Sequence, residues 1–411
     1  MKNGDGEKRA VYYGQIDTYT AVKDYQRRGL CLRVFAVDEQ DYNAKQLASD
    51  EGVPVLALDV SYWQYCRNFL GNRWLNRVNR NEVDVLEGNA EDRRRWYRFE
   101  VQQDGARRDG YSYPAFSEEA PQYFELISAK AVDANQALQL RTPPRIGNLQ
   151  GQVKSIVRDF NSSRQWNLFA FHVGQGMCSL VTDGQNGILL DVGVGTPVVR
   201  PQYLHDTGFK NDLAAALQGL RTVDLVLSHA DSDHWRLLAW DQLIRNKIRK
   251  IFVPDGAKPI AFQDPAVIKK TFESDDIFFS LSSNSTLRVL RSQPQQINDN
   301  SDCLLAVFES AGKRALIGGD YVYRHYKGDG HAVISTLHTL EFDALVVPHH
   351  GDAASAMNIV TARPGAVAFF SAGTHQKYKH PKDASRRAHI QANFAEICDP
   401  KCVDIIERQL I

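Results

Sequence analysis

The chain has 411 residues, of which 43% are apolar and 24% are charged, an ordinary globular composition. This length exceeds one compact core and predicts two domains. Its 49 basic residues balance its 49 acidic residues, which excludes a global electrostatic attraction to nucleic acid or to membranes, so that any such attraction must come from local patches.

The start of the chain and its cysteines favour a cytoplasmic protein with no membrane partner. The first nine residues contain no apolar segment and do not form a signal peptide, and charges or prolines interrupt every apolar run. The six cysteines are scattered, and only Cys398 and Cys402 lie close together. A disulfide scaffold or a zinc ribbon is therefore not expected, and a reduced cytosol fits best.

Residues 1–150 are predicted to form a small α/β domain that serves substrate or partner binding, including a protein partner. Apolar runs followed by helical patterns give the order strand, helix, strand, helix, which is typical of an α/β unit. The predicted segments are strands over 31–37 and 54–60, helices over 43–50 and 61–80, further strands over 95–102 and 123–132, and a linker over 143–148.

Basic and aromatic residues interleave in this first domain. The set consists of Arg67, Arg73, Arg77, Arg80, Arg93, Arg94, Arg95, Arg98, Arg107 and Arg108 with Trp63, Trp74, Trp96 and Tyr97. Such interleaving suits a nucleic-acid surface. A charged helix face with packed tryptophans is the commoner explanation, and acidic residues between 82 and 92 dilute the patch.

Residues 151–411 are predicted to form a second, strand-rich α/β domain. Short apolar strands alternate with Gly-rich turns, and residues 212–220 form a helix. The predicted strands cover residues 168–173, 179–182, 187–191, 224–227, 251–254, 303–309, 314–317, 344–347 and 366–370.

The strongest chemical signal is a run of four potential ligands directly after one of these strands: His229, Asp231, Asp233 and His234. Imidazole and carboxylate groups at this spacing in a strand-to-helix turn can converge on one or two divalent cations. A polar loop in which an aspartate caps the next helix is the alternative. That alternative weakens because other strands also end in polar residues, namely Asp191, Asp320 and the pair His349-His350.

In order along the chain, these motifs resemble the metallo-β-lactamase superfamily, and within it the hydrolase domain of the competence protein ComEC and its stand-alone relatives. The matching segments are V-G-Q-G at 173–176, L-L-D-V-G at 189–193, S-H-A-D-S-D-H at 228–234, N-D-N-S at 298–301, G-D at 319–320, P-H-H-G at 348–351 and H-P at 380–381. The resemblance covers roughly residues 166 to 385. It implies an αββα sandwich.

The resemblance also implies roles for individual residues. His229 and Asp231 would hold one metal, Asp233 and His234 would hold a second with His350 or His349, and Asp320 would bridge both. Asp191 would not bind the metal but would orient one of its ligands. Asp233 or Asp320 would accept a proton. The remaining matches and the Lys/His-rich loop that follows the last strand would bind substrate, through Asn298, Ser301, Lys377, Lys379 and His380.

Two departures from the superfamily pattern affect the metal. Many members carry histidine where this chain has Asp231, and many supply a further histidine before the bridging aspartate, whereas none occurs here between His234 and His325. The first site is richer in oxygen, which favours Mn²⁺, or a weakly held first metal, over two tightly bound Zn²⁺. Asn298, Asp299 or Asp302 could fill the gap.

Three functions remain open at this stage. The first is a metal-dependent phosphodiesterase or nuclease that cleaves DNA or RNA with a metal-activated water, in phage defence or nucleic-acid turnover. The second is a hydrolase of small nucleotides or of other small phosphorylated or acyl substrates, because one scaffold hosts many activities. The third is a metal-binding interaction protein without catalysis.

Overall fold

The protein, described by a computed structural model, folds into two compact units. Unit 1 comprises Met1–Asn148 and Pro259–Lys269, and unit 2 comprises Leu149–Lys258 and Lys270–Ile411. The structure describes residues 9–25, 29–43, 51–70, 95–132, 155–160, 162–256, 259–295, 300–375 and 377–411. Among these residues, no helix is long and apolar enough to cross a membrane.

Unit 1 is a closed barrel of six strands in the order β1-β2-β3-β5-β6-β4, and all neighbouring strands run antiparallel. Two short helices, α1 (Glu39–Asn43) and α2 (Tyr62–Leu70), follow β2 and β3. The strands are β1 (Arg9–Val22), β2 (Leu30–Asp38), β3 (Leu56–Ser61), β4 (Trp96–Gln103), β5 (Gly110–Pro114) and β6 (Gln122–Ala131).

The period-two pattern of β2 explains how the barrel is filled. Leu32, Val34 and Ala36 contribute to the apolar core, as alternation in a strand requires. On the opposite face, the buried guanidinium of Arg33 lies 2.8 Å from both Asp24 and Asp59. A buried cation needs such compensation, so removal of either carboxylate would destabilise this unit.

Unit 1 contains both strands and helices as predicted, but its architecture differs from a β-α-β-α unit. A strand-helix-strand order leaves the pairing direction open, and here β2 and β3 pair antiparallel. Two strands, β1 and β5, escaped the sequence pattern because polar residues and glycines interrupt their apolar residues. These strands close the sheet into a barrel. The predicted linker over 143–148 lies outside the described residues.

Unit 2 contains two mixed sheets. The seven-stranded sheet has the order β13-β12-β11-β10-β9-β8-β21, and the eight-stranded sheet has the order β20-β19-β18-β17-β16-β15-β14-β7. Strands β10 to β13 run parallel to one another, as do β17 to β20.

In the described part of unit 2, each of the nine predicted runs overlaps a strand, whereas β7, β13, β14, β15, β20 and β21 were not predicted. The strands have the following bounds. They are β7 (Ser155–Asp159), β8 (Asn167–His172), β9 (Cys178–Thr182), β10 (Asn186–Val192), β11 (Thr222–Val226), β12 (Ile248–Pro254), β13 (Thr271–Ser274), β14 (Asp276–Ser282), β15 (Ser285–Arg291), β16 (Leu304–Ser310), β17 (Lys313–Ile317), β18 (Glu341–Val346), β19 (Thr361–Phe370), β20 (Ala395–Cys398) and β21 (Ile406–Gln409). The α-helices of the described part are α3 (Arg200–His205), α4 (Asp212–Gln218), α5 (Arg236–Trp240), α6 (Gln242–Lys247) and α7 (Asp383–Gln391).

The layers of unit 2 follow the order helix, sheet, sheet, helix. Apolar residues of both sheets, among them Ile188 and Phe308, form one core between them. Helices α4, α5 and α6 contact the seven-stranded sheet. The outer face of the eight-stranded sheet packs against 3₁₀ helices at Tyr323–Gly328 and Ile334–Thr339, and α7 contacts β20. This is the predicted αββα sandwich.

Candidate metal centre

The ends of four parallel strands deliver the candidate ligands of unit 2. Asp191 lies near the end of β10, and the stretch 228–234 follows β11. Asp320 follows β17, and the pair His349-His350 follows β18. Because the carboxyl ends of parallel strands share one edge of a sheet, this topology collects residues that are distant in sequence.

Each of three imidazole rings is held in a fixed orientation by an oxygen atom close to its Nδ1. His234 Nδ1 lies 2.8 Å from Asp191 Oδ2, and His229 Nδ1 lies 3.0 Å from Ser228 Oγ. His350 Nδ1 lies 2.8 Å from the carbonyl oxygen of Ser371. An Nδ1–H that donates to oxygen leaves the lone pair on Nε2, the arrangement that metal-binding histidines use.

The Nε2 atoms of these three histidines and Oδ1 of Asp320 are buried, and none has a hydrogen-bond partner among the described residues. Buried polar atoms without partners are rare, and each needs an explanation such as a missing ion. Here all four belong to one cluster, and all can donate a lone pair. This chemistry fits a divalent cation bound by nitrogen and oxygen.

Two overlapping groups of donors could each hold an ion. His229, His234 and Asp320 form one group, and Asp233, His234 and His350 form the other, with the donor atoms of each group within 4.8 Å of one another. Asp320 Oδ1 lies 3.2 Å from His234 Nε2, and Asp233 Oδ2 lies 3.3 Å from His350 Nε2.

Asp320 and Asp231 both face the imidazole of His229. Asp320 Oδ2 lies 3.7 Å from His229 Nε2, and Asp231 Oδ2 lies 3.6 Å from the same nitrogen. The structure therefore brings together the four candidate ligands of the run 229–234 and the aspartate that was predicted to bridge the metals, Asp320.

Electrostatics keep the carboxylates ionised. Burial alone would raise the pKa of Asp320, but the neighbouring His349, His234 and His229 hold it well below its usual range. Burial is likewise outweighed at Asp233, where the close approach of His350 and the charge of His234 lower the pKa. Ionised carboxylates are the form that binds cations.

Glycines allow the supporting loops to pack backbone against backbone. A Cβ on Gly193 would lie 1.6 Å from the carbonyl oxygen of Asp233, and a Cβ on Gly176 would lie 2.5 Å from the nitrogen of Val194. No side chain fits at either place. The glycines of V-G-Q-G and D-V-G thus fix the ligand loop.

The Lys/His-rich loop after β19 adjoins the two consecutive histidines. The ring of His380 lies 6.1 Å from that of His350 and 5.9 Å from that of His349. Tyr378 stacks on the other side of His380 at 5.8 Å, and Lys377 lies 5.5 Å from the Tyr378 ring. Lys379 is exposed.

Two residues in contact with the candidate ligands, Ser228 and Asn300, were not among the predicted site residues. Asn298 lies outside the described residues, and Ser301 is buried with its carbonyl accepting a hydrogen bond from Ser292. Ser228 links Asp191 to both histidines of its stretch, and Asn300 Nδ2 lies 3.2 Å from His349 Nε2. Both residues lie inside the motifs quoted above, and this position in the sequence could have identified them.

The thiol of Cys178 is buried, and burial together with the nearby charge of Asp191 raises its pKa well above the usual range. A neutral thiol is a poor nucleophile. This environment suits a packing residue rather than a nucleophile.

Several arginines of unit 1 are neutralised by acidic partners. Arg107 pairs with Asp109 and Glu125, and Arg98 pairs with Glu100. Tyr97 belongs to the barrel core. Trp63 is 55% exposed, and Arg67, Arg95 and Arg108 are also exposed. Outside the described residues lie Arg73, Arg77, Arg80, Arg93, Arg94 and Trp74.

No protein-family model matches the sequence, and no curated protein does. Solved structures with a similar backbone include a mutant of the CmlA beta-hydroxylase (13% identity, TM-score 0.38, 59% of this chain and 54% of that one). Others are YhfI, a metallo-beta-lactamase fold protein from Bacillus subtilis (13%, 0.33, 59% and 100%), and Zn²⁺-bound PqqB from Methylobacterium extorquens (13%, 0.34, 57% and 87%).

The alignment spans about half the length of the CmlA chain. Its own layer order and strand ends define unit 2 as an αββα sandwich.

Proposed function

We propose that this chain is a metal-dependent hydrolase, and specifically a phosphodiesterase that cleaves nucleic acid. The observation that carries the proposal is the position of Asp320, whose Oδ2 faces His229 and whose Oδ1 faces His234, the histidine common to both donor groups. Two cations that share one carboxylate are suited to stabilising both the attacking and the leaving oxygen in displacement at phosphorus.

The chain supplies the ligands and their orientation. His229, Asp231 and Asp320 would hold one cation, whereas His234, Asp233 and His350 would hold the other with Asp320. Bound divalent cations would polarise phosphoryl oxygens and lower the pKa of water. Asp191, Ser228 and the carbonyl of Ser371 fix the imidazole rings.

Asp233 is the carboxylate suited to accept a proton from the attacking water. Its side chain is 28% exposed, whereas that of Asp320 is 5% exposed. A general base must reach the proton that it removes. Asp320, enclosed among imidazoles, is suited to binding only.

The loop after β19 supports a substrate that carries phosphate. His380 lies beside the two consecutive histidines, and Lys377 and Lys379 belong to the same loop. Cationic lysines can neutralise phosphodiester oxygens. The ComEC-type motif order supports DNA as the polymer. Trp63 and Arg108 of unit 1 are exposed, and in this proposal they bind nucleic acid.

Cleavage of plasmid and of single-stranded oligonucleotides tests the proposal. The full chain is assayed with Mn²⁺, Mg²⁺ and Zn²⁺ beside the double variant Asp233→Ala/His234→Ala. We expect metal-dependent cutting by the wild type and no cutting above background by the variant, which loses two ligands. A matched control, His205→Ala/Asp206→Ala, removes an adjacent exposed pair and should cut normally.

The alternatives give different results in the same series. Turnover of cyclic nucleotides, a p-nitrophenyl phosphodiester or a thioester without any polymer cleavage would assign a small-substrate hydrolase instead. Metal binding without turnover of any of these substrates would contradict an enzymatic function and indicate the interaction protein.

A further inference from the structure

We propose that the two consecutive histidines after β18 bind different cations, an inference that rests on the metal-dependent function proposed above. His350 belongs with Asp233 and His234. His349 completes the other position, together with His229, Asp231 and one oxygen of Asp320.

The first position needs another donor. The sequence supplies no histidine between His234 and His325, where many superfamily members provide one. Asp302, one possible substitute, forms an ion pair with Arg291. The other two, Asn298 and Asp299, lie outside the described residues.

The two oxygens of Asp320 face different imidazoles. Oδ2 lies 3.6 Å from His349 Nε2 and 3.7 Å from His229 Nε2, whereas Oδ1 lies 3.2 Å from His234 Nε2. Donors that share a cation in tetrahedral geometry lie roughly 3.4 Å apart when each is about 2.1 Å from the ion. His349 and His229 therefore face the same oxygen of Asp320, whereas His350 faces Asp233.

His349 is oriented in the same way as the other three histidines. Its Nδ1 lies 3.3 Å from Asp352 Oδ2. The other oxygen of Asp352 accepts hydrogen bonds from Ser355 N at 2.8 Å and from Ser355 Oγ at 2.7 Å. A carboxylate that holds Nδ1–H and leaves Nε2 for the metal is the common support of metal-bound histidine.

The contact with Asn300 indicates which nitrogen of His349 carries the lone pair. Asn300 Nδ2 lies 3.2 Å from Nε2. An amide nitrogen can only donate a hydrogen bond, so Nε2 is an acceptor in this arrangement. An acceptor nitrogen that faces a carboxylate is a ligand for a cation, which would displace the amide.

The backbone explains how neighbouring residues can serve two ions. His349, His350 and Gly351 have φ values of 49°, 53° and 74°, so three consecutive residues are left-handed. Such a conformation is unfavourable for a residue with a side chain. It turns the two imidazoles apart, with ring centres 6.5 Å apart and planes 59° apart.

Counting bound Mn²⁺ tests the assignment without any substrate. The full chain is stripped with a chelator and titrated with MnCl₂, and free Mn²⁺ is measured by electron paramagnetic resonance. We expect two ions per wild-type chain, one for His349→Gln, one for His350→Gln and none for the double variant. If both histidines served one ion, the double variant would retain one.

Two further variants sharpen the result. Asp352→Asn should keep both ions but weaken one by about 10- to 100-fold, because it removes the support of Nδ1. His338→Gln removes an exposed histidine outside the cluster and should bind two ions as the wild type does. The ion that His349→Gln retains shows that this variant is folded.

His349→Gln with two ions at wild-type affinity would overturn the assignment, and so would a double variant that retains one ion. A wild type that binds no Mn²⁺ would overturn both this inference and the proposed function. If the expected stoichiometries are found but nothing is cleaved, the proposed function fails while the assignment stands.

Discussion

Ser228 makes the structural connection between Asp191 and the two histidines of its own stretch. Its hydroxyl donates to Asp191 Oδ2 at 2.8 Å and lies 3.0 Å from Nδ1 of both His229 and His234. A hydroxyl has one proton and two lone pairs, so it can satisfy all three contacts. One small side chain thereby sets the tautomer of two ligands.

The variant Ser228→Ala should weaken metal binding and stability together. We expect about 10-fold lower Mn²⁺ affinity, because the imidazoles lose a support, and about 1 kcal/mol less free energy of unfolding. Mn²⁺ titration and urea unfolding measure the two effects. Ser335→Ala, which removes a hydroxyl bonded only to the carbonyl of Ala332, is the control. Equal losses in both variants would show that the Ser228 contacts have no special role.

Among the glycines that the structure describes, Gly193 is the one at which an added Cβ would make the shortest contact. Because a Cβ would meet the carbonyl oxygen of Asp233 at 1.6 Å, Gly193→Ala must displace the ligand loop. We expect a loss of about 3 kcal/mol in the free energy of unfolding, measured in urea. A Cβ added at Gly219 would meet no atom within 4 Å, so Gly219→Ala should change stability by less than about 0.5 kcal/mol. A Gly193→Ala protein as stable as the Gly219→Ala control would refute this view of the loop.

The sequence could identify most candidate ligands, but it could not indicate which of the two cations each ligand would bind. The run from His229 to His234 is local, so its spacing alone indicates a metal site. The separate environments of His349 and His350 depend on left-handed backbone and on contacts with Asp352 and Ser371, which lie beyond the pair in the chain. Motif spacing contains no such information.

At the scale of elements, the turn between β9 and β10 shows how one carboxylate organises a hairpin. Asp183 accepts hydrogen bonds from the backbone of Gln185 and Asn186 and from the hydroxyl of Ser162. Burial would raise the pKa of Asp183, but these bonds to the ionised form outweigh it and lower the pKa below 3.8. Folding therefore favours the ionised carboxylate.

This shift predicts how stability depends on pH. Because the folded pKa is lowered, the contribution of Asp183 is fully present above the unfolded value near 3.8 and is lost as pH falls through the folded pKa. Asp183→Asn should cost about 2 kcal/mol at pH 7 and pH 5, and less below pH 4. Urea unfolding across this range, with exposed Asp255→Asn as the control, measures the effect. A cost that stays constant below pH 4 would contradict it.

The architecture of unit 2 was more predictable than that of unit 1. Its buried strands are near-continuous apolar runs such as β10 and β18, which stand out in sequence. The 14-residue β1 contains Gly14, Gln15 and Asp17, and it pairs with β2 through shifts in register and with β4 in a regular register. Barrel closure is a property of long-range pairing, so local patterns cannot reveal it.

At the scale of the whole molecule, bound metal should stabilise the loops that supply ligands. Mn²⁺ at 100 times its dissociation constant adds about 2.7 kcal/mol to the folded state. We expect slower hydrogen exchange in the loops after β10, β11, β17 and β18 and little change in the barrel strands β1 to β6.

Hydrogen-exchange mass spectrometry with and without Mn²⁺ measures this distribution. The Asp233→Ala/His234→Ala variant is the control and should show no protection by the ion. Equal protection of the barrel strands and of the ligand loops would place the ion elsewhere.

The spread of the ligands along the chain has a consequence for biosynthesis. His350 follows His229 by 121 residues, with several strands of both sheets between them. At a ribosomal rate of about 5–20 residues per second, His350 is polymerised roughly 6 to 24 seconds after His229. A nascent polypeptide therefore exposes an incomplete chelator for that interval, and correct cofactor loading belongs to the last stage of its maturation.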